Sequence, residues 1–215
     1  MVLMKKFGNA QIFENLTEMV DPAHAALVLW DCQNALVNNI FNSEEFLANQ
    51  QKLLESARSH RVPVIYSKIT PLPQAYQSAW QILQSMKRFR VDDPAKIPTF
   101  MKPGSPESEI NEKLMPVDGD VVLNKSTSNI FFGTMFEQMM RFRGVQTLIF
   151  TGIATEIGIE HNAREAGIRG FYPVVVSDCV SSGDKAAHET VLQLLPRLSI
   201  VVKSSEILDA WRIKD

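Results

Sequence analysis

Six short, almost continuous apolar runs constrain the fold of this chain more than any other feature, because such runs suit strands covered on both faces. The runs are AALVLWD (25–31), VPVIYSK (62–68), VVLNK (121–125), TLIFTG (147–152), YPVVVSD (172–178) and LSIVVK (198–203). Segments with apolar residues at helical spacing separate most of them. The alternation predicts an α/β fold: a doubly wound, mostly parallel, six-stranded sheet of order 3-2-1-4-5-6, with helices on both faces.

Spacing and end signals predict the helices. One begins after Ser43, one runs from Phe132 to Gly144, one is capped by Thr155 and runs to Gly167, and one is capped by Asp184. The closing segment SEILDAW predicts a short last helix. Residues 69–120 are rich in proline and carry one predicted helix, 75–88. Two interpretations of this segment stay open: a lid over a pocket, and a loop that contacts another subunit.

Length and charge limit the class of protein. The 215 residues fit a single domain, predicted over 25–215 and preceded by an N-terminal arm over 1–24. A net charge of −2 gives no general basic surface for nucleic acid. No apolar run reaches the roughly 18 residues of a membrane span or resembles a signal peptide. With only two cysteines and no disulfide framework, we expect a cytoplasmic protein.

A ligand site is predicted where the strand order reverses, because ligands of doubly wound sheets bind at the carboxyl ends of the strands there. Asp31 ends the first strand and Lys125 ends the third. The turn 152–158 follows the fourth strand and opens a helix, whose free N–H groups suit an oxyanion or a carboxylate. We therefore expect a pocket around Asp31 and Lys125.

The sequence lacks the motifs of dinucleotide-binding and P-loop proteins, which excludes these two classes. The loop after the first strand, DCQNALVNN, lacks the glycines of a dinucleotide fingerprint, and no GxxxxGK[ST] motif is present. No cofactor is expected. His161 and Glu165 lie four residues apart on a predicted helix, but no third ligand accompanies them, so a helix-surface pair is favoured over a metal site.

Three segments together resemble the isochorismatase-like hydrolase superfamily. They are LVLWDCQNAL (27–36), LNKSTSNIFFGT (123–134) and TGIATEIGIEHNAREAGIRGFYPVVVSDC (151–179), and the resemblance spans roughly residues 25–205. It implies a hydrolase of small molecules on the predicted fold, and a homo-oligomer. The nicotinamidase branch binds a metal through Asp-x-His after the second strand, where this chain reads SKITPLP, so no metal is expected.

The resemblance assigns roles to individual residues. Asp31 matches the catalytic carboxylate and Lys125 the catalytic lysine. Ile153–Ala154 matches a peptide bond that is usually cis, where the Ala154 N–H helps to form an oxyanion hole. The nucleophilic cysteine of the superfamily falls on Gly158, so thiolate attack is not available. True isochorismatases also carry glycine there and hydrolyse a vinyl ether by acid–base chemistry, but they have a tyrosine where this chain has Ala154.

The first functional hypothesis is a hydrolase without a cysteine nucleophile. Asp31 is the general acid/base, Lys125 is its electrostatic partner, and the N–H groups of Ala154 and Gly158 form the oxyanion hole. Water or part of the substrate takes the space of the missing thiol. The substrate is a small polar metabolite, and an anionic one is an open option because of a basic cluster, Lys87, Arg88 and Arg90.

Other interpretations remain open. Gln33 and Phe131 are candidate substrate contacts, although an isolated aromatic residue is more often part of a core. A second hypothesis is a non-catalytic binding or scaffold protein that retains the hydrolase fold. A third is a cysteine hydrolase that uses Cys32 or Cys179, both of which also fit core positions. Nucleic acid and membrane are not expected partners.

Overall fold

The computed structural model describes residues 5–8 and 10–213, and its main sheet has six parallel strands. The strands are β1 (Lys5–Phe7), β2 (Ala10–Ile12), β3 (Ala25–Trp30), β4 (Val64–Ile69), β5 (Val121–Lys125), β6 (Thr147–Ile153), β7 (Tyr172–Ser181) and β8 (Ile200–Val202). β1 and β2 form a separate antiparallel pair, and the main sheet has the order β5-β4-β3-β6-β7-β8. The predicted order 3-2-1-4-5-6 is therefore confirmed.

Helices cover both faces of the sheet. They are α1 (Leu16–Met19), α2 (Asn34–Val37), α3 (Ser43–Ser59), α4 (Ala79–Phe89), α5 (Phe136–Phe142), α6 (Glu160–Ile168), α7 (Lys185–Leu194) and α8 (Ser204–Arg212). The central strand β3 is buried along its whole length, and its side chains alternate between two cores. Leu27 and Leu29 pack with α3 and α8. Val28 and Trp30 face the core formed with α5 and α6.

Three predicted helix starts differ from the structure, and one of them is that of α4, which begins at Ala79 rather than at residue 75. Thr155 does not cap a helix: it begins one π-helical turn, Thr155–Ile159, that leads into α6, and its hydroxyl donates to the carbonyl of Ser181 (3.2 Å). α5 begins at Phe136 rather than Phe132, which is 70% exposed. Asp184 does cap α7, since its carboxylate accepts from the Ala187 N–H (3.0 Å).

The proline-rich region 69–120 consists mainly of loops and 3-10 turns around α4. A capping box between Ser78 and Gln81 starts α4, and Arg90, in the left-handed conformation, ends it. No residue of α4 is buried. A cavity of about 710 Å³ lies under this region, with Ile69 at the end of β4 and Ser126 just after β5 among its lining. The region therefore extends over the carboxyl ends of β4 and β5.

The predicted N-terminal arm packs partly into the main core. Residues 1–4 and 9 of the arm, and 214–215 at the other end, lie outside the described residues. Phe13 and Val20 are buried, and the indole N–H of Trp211 donates to the carbonyl of Val20 (2.7 Å). No helix within 5–8 and 10–213 is long and apolar enough to cross a membrane.

Candidate active site

Asp31 and Lys125 meet at the carboxyl end of the sheet, as predicted. The Lys125 ammonium donates to Asp31 Oδ2 (2.7 Å), and the side chains are only 1% and 8% exposed, respectively. The Ser67 hydroxyl donates to Asp31 Oδ1 (2.9 Å), so both carboxylate oxygens have a donor. Asp31 has a φ of 52°, which turns the chain out of β3, and its N–H donates to the Ser67 carbonyl (3.1 Å). The pair and its serine partner therefore come from the carboxyl ends of three adjacent strands, β3, β4 and β5.

The site shifts the protonation equilibria of both partners. Burial raises the pKa of Asp31 above its usual range, and the charge and hydrogen bond of Lys125 offset part of that rise. Burial lowers the pKa of Lys125, which the carboxylate of Asp31 opposes. Burial therefore moves the two pKa values toward each other, and the attraction between the two charges moves them apart.

Trp30 occupies the space where a side chain at position 158 would point. A Cβ built on Gly158 would overlap Nε1, Cε2 and Cδ1 of the indole. The same indole lies under the Lys125 ammonium, with Nζ 3.8 Å from the ring centroid, which is a cation–π contact. The prediction that water or substrate fills the space of the missing thiol is therefore wrong: the Trp30 ring fills it.

The structure agrees with only part of the predicted oxyanion hole. The Ile153–Ala154 peptide bond is cis, as the resemblance implied. The N–H of Gly158, however, donates to the Ala154 carbonyl (3.0 Å) within the π-helical turn. It is used by the backbone and is not a free donor, so the predicted role of Gly158 in an oxyanion hole is wrong.

Gln33 and Phe131 are structural residues, contrary to the prediction. The Gln33 amide donates to the carbonyls of Ile69 (3.1 Å) and Ser108 (2.8 Å), and its oxygen accepts from the Ile69 N–H (2.8 Å). Gln33 is fully buried and fixes the region after β4 to the sheet. Phe131 packs edge-on against Phe136 (5.1 Å between centroids) in the core.

Comparison with known proteins identifies the family of this chain. A profile of the isochorismatase domain matches residues 25–206. The chain belongs to the isochorismatase family of hydrolases.

Its relatives are distant but cover most of the chain. The isochorismatase family protein YwoC of Bacillus subtilis is 28% identical over 88% of this chain and 95% of its own length. The ureidoacrylate amidohydrolase RutB of Methylobacterium radiotolerans is 27% identical over 80% of this chain and 73% of its own. The solved structure of an isochorismatase family protein from Burkholderia thailandensis is 30% identical, with a TM-score of 0.70 over 88% of this chain and 96% of that one.

Neither cysteine of this isochorismatase family member is placed to act as a nucleophile. Cys32 and Cys179 are buried, at 1% and 0% exposure. Burial raises the pKa of Cys32 to about 12 and raises that of Cys179 as well, so both stay protonated at neutral pH. The hypothesis of a cysteine hydrolase that uses either thiol is therefore not supported.

Ser128, in the loop after β5, forms a serine–histidine pair with His161 on α6, which sequence reasoning missed. The Ser128 hydroxyl is 3.1 Å from His161 Nδ1. Asn129 accepts the Phe131 N–H through its Oδ1 (2.8 Å), which leaves its amide N–H₂ facing His161 Nε2 at 3.5 Å. Nε2 is then the acceptor and Nδ1 carries the proton toward Ser128. A general base must present a free nitrogen to the serine, so this arrangement does not activate Ser128.

The structure adds two residues to the predicted site. Ser67 ends the part of β4 that pairs with β3, and Trp30 precedes Asp31. The sequence contained a signal for both residues. Each stands at the carboxyl end of a predicted strand, and the ends of adjacent parallel strands lie at the same edge of the sheet. No group of three metal-ligating side chains is found within 5–8 and 10–213, and His161 with Glu165 is therefore not part of one there.

Proposed function

We propose that this protein hydrolyses a small polar metabolite by acid–base chemistry without a cysteine nucleophile. The observation that carries the proposal is the buried ion pair, with Lys125 Nζ 2.7 Å from Asp31 Oδ2 at the carboxyl end of the sheet. Keeping two opposite charges buried together is costly and rarely improves stability over apolar residues. A role in proton transfer explains why the site retains both groups.

The proposed reaction needs only this pair and water. In the reacting state we propose that Asp31 has taken up a proton, which it donates to the leaving-group atom of the substrate as the bond to carbon breaks. Lys125 then stabilises the carboxylate that forms. Water attacks the carbon, its hydroxyl stays on the product, and its proton returns to Asp31. Ala154, through its N–H, is our candidate donor to negative charge that develops on the substrate.

The cavity under α4 supports an anionic substrate. Its lining includes two cations, Arg88 and Lys102, and no carboxylate. Arg88 lies over the Phe100 ring, 4.4 Å from the centroid, so it is held in place by an aromatic contact. Ser126, which follows Lys125 directly, belongs to the same lining. We propose that a carboxylate or similar group of the substrate binds in this cavity while its reacting bond lies toward Asp31.

The test is a hydrolysis screen with paired variants. Purified protein is assayed against small carboxylate-bearing enol ethers, esters, amides and ureido compounds, with product detected by mass. Asp31→Asn keeps the shape of the side chain but cannot exchange a proton, so turnover of any hit falls by at least about 100-fold. Asp92→Asn, the same change at an exposed surface position, leaves turnover unchanged. A hit that Asp31→Asn hydrolyses at the wild-type rate refutes the mechanism.

One observation favours a second candidate, a binding protein without catalysis. The Trp30 ring fills the position of the nucleophile and Asp31 is almost fully buried, as expected of a hydrolase fold that lost its chemistry. This candidate predicts that small anions bind in the cavity, that Arg88→Gln weakens their binding, and that no compound of the screen is hydrolysed. A compound that is turned over in an Asp31-dependent way eliminates it.

A further inference from the structure

The helix α4 turns its polar face toward the cavity of about 710 Å³ beneath it. Four polar side chains at helical spacing line the cavity: Gln81, Gln84, Ser85 and Arg88. The large apolar side chains of the opposite face are not part of the lining: Trp80, Ile82, Leu83 and Met86. A surface helix normally turns its apolar face toward the protein. The reversed orientation of α4 suits a cavity that receives a polar molecule.

Two of the polar side chains that line the cavity have no task in holding the fold together. Gln81 does have one, because its side-chain oxygen accepts from the Ser78 N–H (2.9 Å) in the capping box that starts α4. The side chains of Gln84 and Ser85, by contrast, form no hydrogen bond with any residue in 5–8 and 10–213. Gln84 is exposed and Ser85 is half-buried, so both are accessible to a molecule in the cavity.

Arg88 adds a positive charge to the same face, about one helical turn beyond Gln84. Four residues of an α-helix rise about 6 Å. The Arg88 guanidinium lies over the Phe100 ring, 4.4 Å from the centroid, and pairs with no carboxylate in the part of the chain that the structure describes. The remaining lining is mostly apolar and includes Ile97 and Pro98. A complementary molecule therefore has a carboxylate and a neutral polar group joined by a short alkyl chain.

We propose that Gln84 and Ser85 determine substrate specificity by binding a neutral amide or hydroxyl group of the substrate while Arg88 binds its carboxylate. The alkyl chain between the two groups packs against the apolar wall of the cavity. The neutral group is separate from the reacting bond, which lies toward Asp31. This inference rests on the proposed function, because it places the substrate carboxylate in the same cavity.

The first measurement compares two probes that differ in one group. Glutaramate has a carboxylate and a primary amide joined by three methylene groups, and pentanoate has a methyl group in place of the amide. Both are titrated into ¹⁵N-labelled protein, and the dissociation constants are read from the backbone amide of Ser126, which lines the cavity. Glutaramate is expected to bind about fivefold to tenfold more tightly than pentanoate. The side-chain amide signals of Gln84 move with glutaramate and stay in place with pentanoate.

The second measurement uses matched variants. Gln84→Leu keeps the approximate size and helix propensity of the side chain but removes its amide, and its missing signals assign those of Gln84. In this variant the affinity for glutaramate falls to that for pentanoate, and Ser85→Ala shifts it in the same direction. Gln193→Leu is the control, because Gln193 is exposed on α7 and does not line the cavity. An unchanged indole signal of the buried Trp211 shows that each variant is folded.

The inference is overturned if glutaramate binds no more tightly than pentanoate, or if Gln84→Leu keeps the preference for glutaramate. These titrations do not depend on turnover, so they are separate from the test of the proposed function. A preference for glutaramate that requires Gln84, without any Asp31-dependent hydrolysis, refutes the proposed function and leaves this inference intact. Asp31-dependent hydrolysis without that preference refutes this inference alone.

Discussion

Adding a single methyl group at Gly158 tests whether Trp30 dictates that residue 158 is glycine. Gly158 lies in the π-helical turn before α6 and is buried. In Gly158→Ala the new Cβ would overlap three atoms of the Trp30 indole. That indole is held between β3, the helical turn and the Lys125 ammonium, so it has little freedom to move. The backbone conformation itself is compatible with alanine, because φ at 158 is not in the left-handed region.

The expected change in the free energy of unfolding of Gly158→Ala is the sum of two opposing contributions. Overpacking a core by one methyl group costs about 1–3 kcal/mol. Replacing glycine by alanine in a helix returns up to about 1 kcal/mol. We therefore expect Gly158→Ala to lower the free energy of unfolding by about 1–2 kcal/mol. Gly167→Ala on α6 is the matched control, because its Cβ meets only Pro173 Cγ at 3.9 Å, and it should raise stability by up to about 1 kcal/mol.

Urea unfolding at one fixed pH measures both variants, with m-values compared to exclude a change in the denatured state. A double-mutant cycle then assigns the cause. Trp30→Leu is itself destabilising, but adding Gly158→Ala to it should cost nothing, which gives a coupling energy of about 1–2 kcal/mol. The reasoning is refuted if Gly158→Ala is as stable as Gly167→Ala, or if the effects of Trp30→Leu and Gly158→Ala add to within about 0.5 kcal/mol.

Two further predictions follow from buried charge. Lys125→Met leaves the Asp31 carboxylate without its cation and lowers the free energy of unfolding by about 3–5 kcal/mol. Combining it with Asp31→Leu recovers most of that loss. Equal denaturation midpoints for the single and the double variant would contradict this prediction. Burial lowers the pKa of His188, which two nearby glutamates oppose, so its neutral form is favoured in the fold. Because the unfolded chain binds that proton first, wild-type stability should fall relative to His188→Asn as the pH drops below about 6.5. Parallel stability curves between pH 7 and pH 5 would disprove it.

Much of the fold could be predicted because its signals are local. The apolar runs that become the six parallel strands are long enough to identify, and their alternation with helices restricts the topology to a doubly wound sheet. The same logic located Asp31 and Lys125, since strand ends of a parallel sheet lie at one edge. Helix starts were less predictable: Thr155 had the chemistry of a cap, but a tertiary contact with Ser181 competes for its hydroxyl.

The sequence by itself therefore determined the sheet, its order and the pair of Asp31 and Lys125 at its edge, because those follow from hydrophobic periodicity and chain connectivity. Only the tertiary structure decided what each nearby residue does. Gln33 lost its predicted role because three backbone groups far along the chain take its hydrogen bonds. The space beside Gly158 is filled by the indole of Trp30. The two residues are far apart in sequence and are brought into contact by the packing of β3 against the turn before α6. Packing between segments that are remote along the chain leaves no local pattern, so it had to be seen in three dimensions.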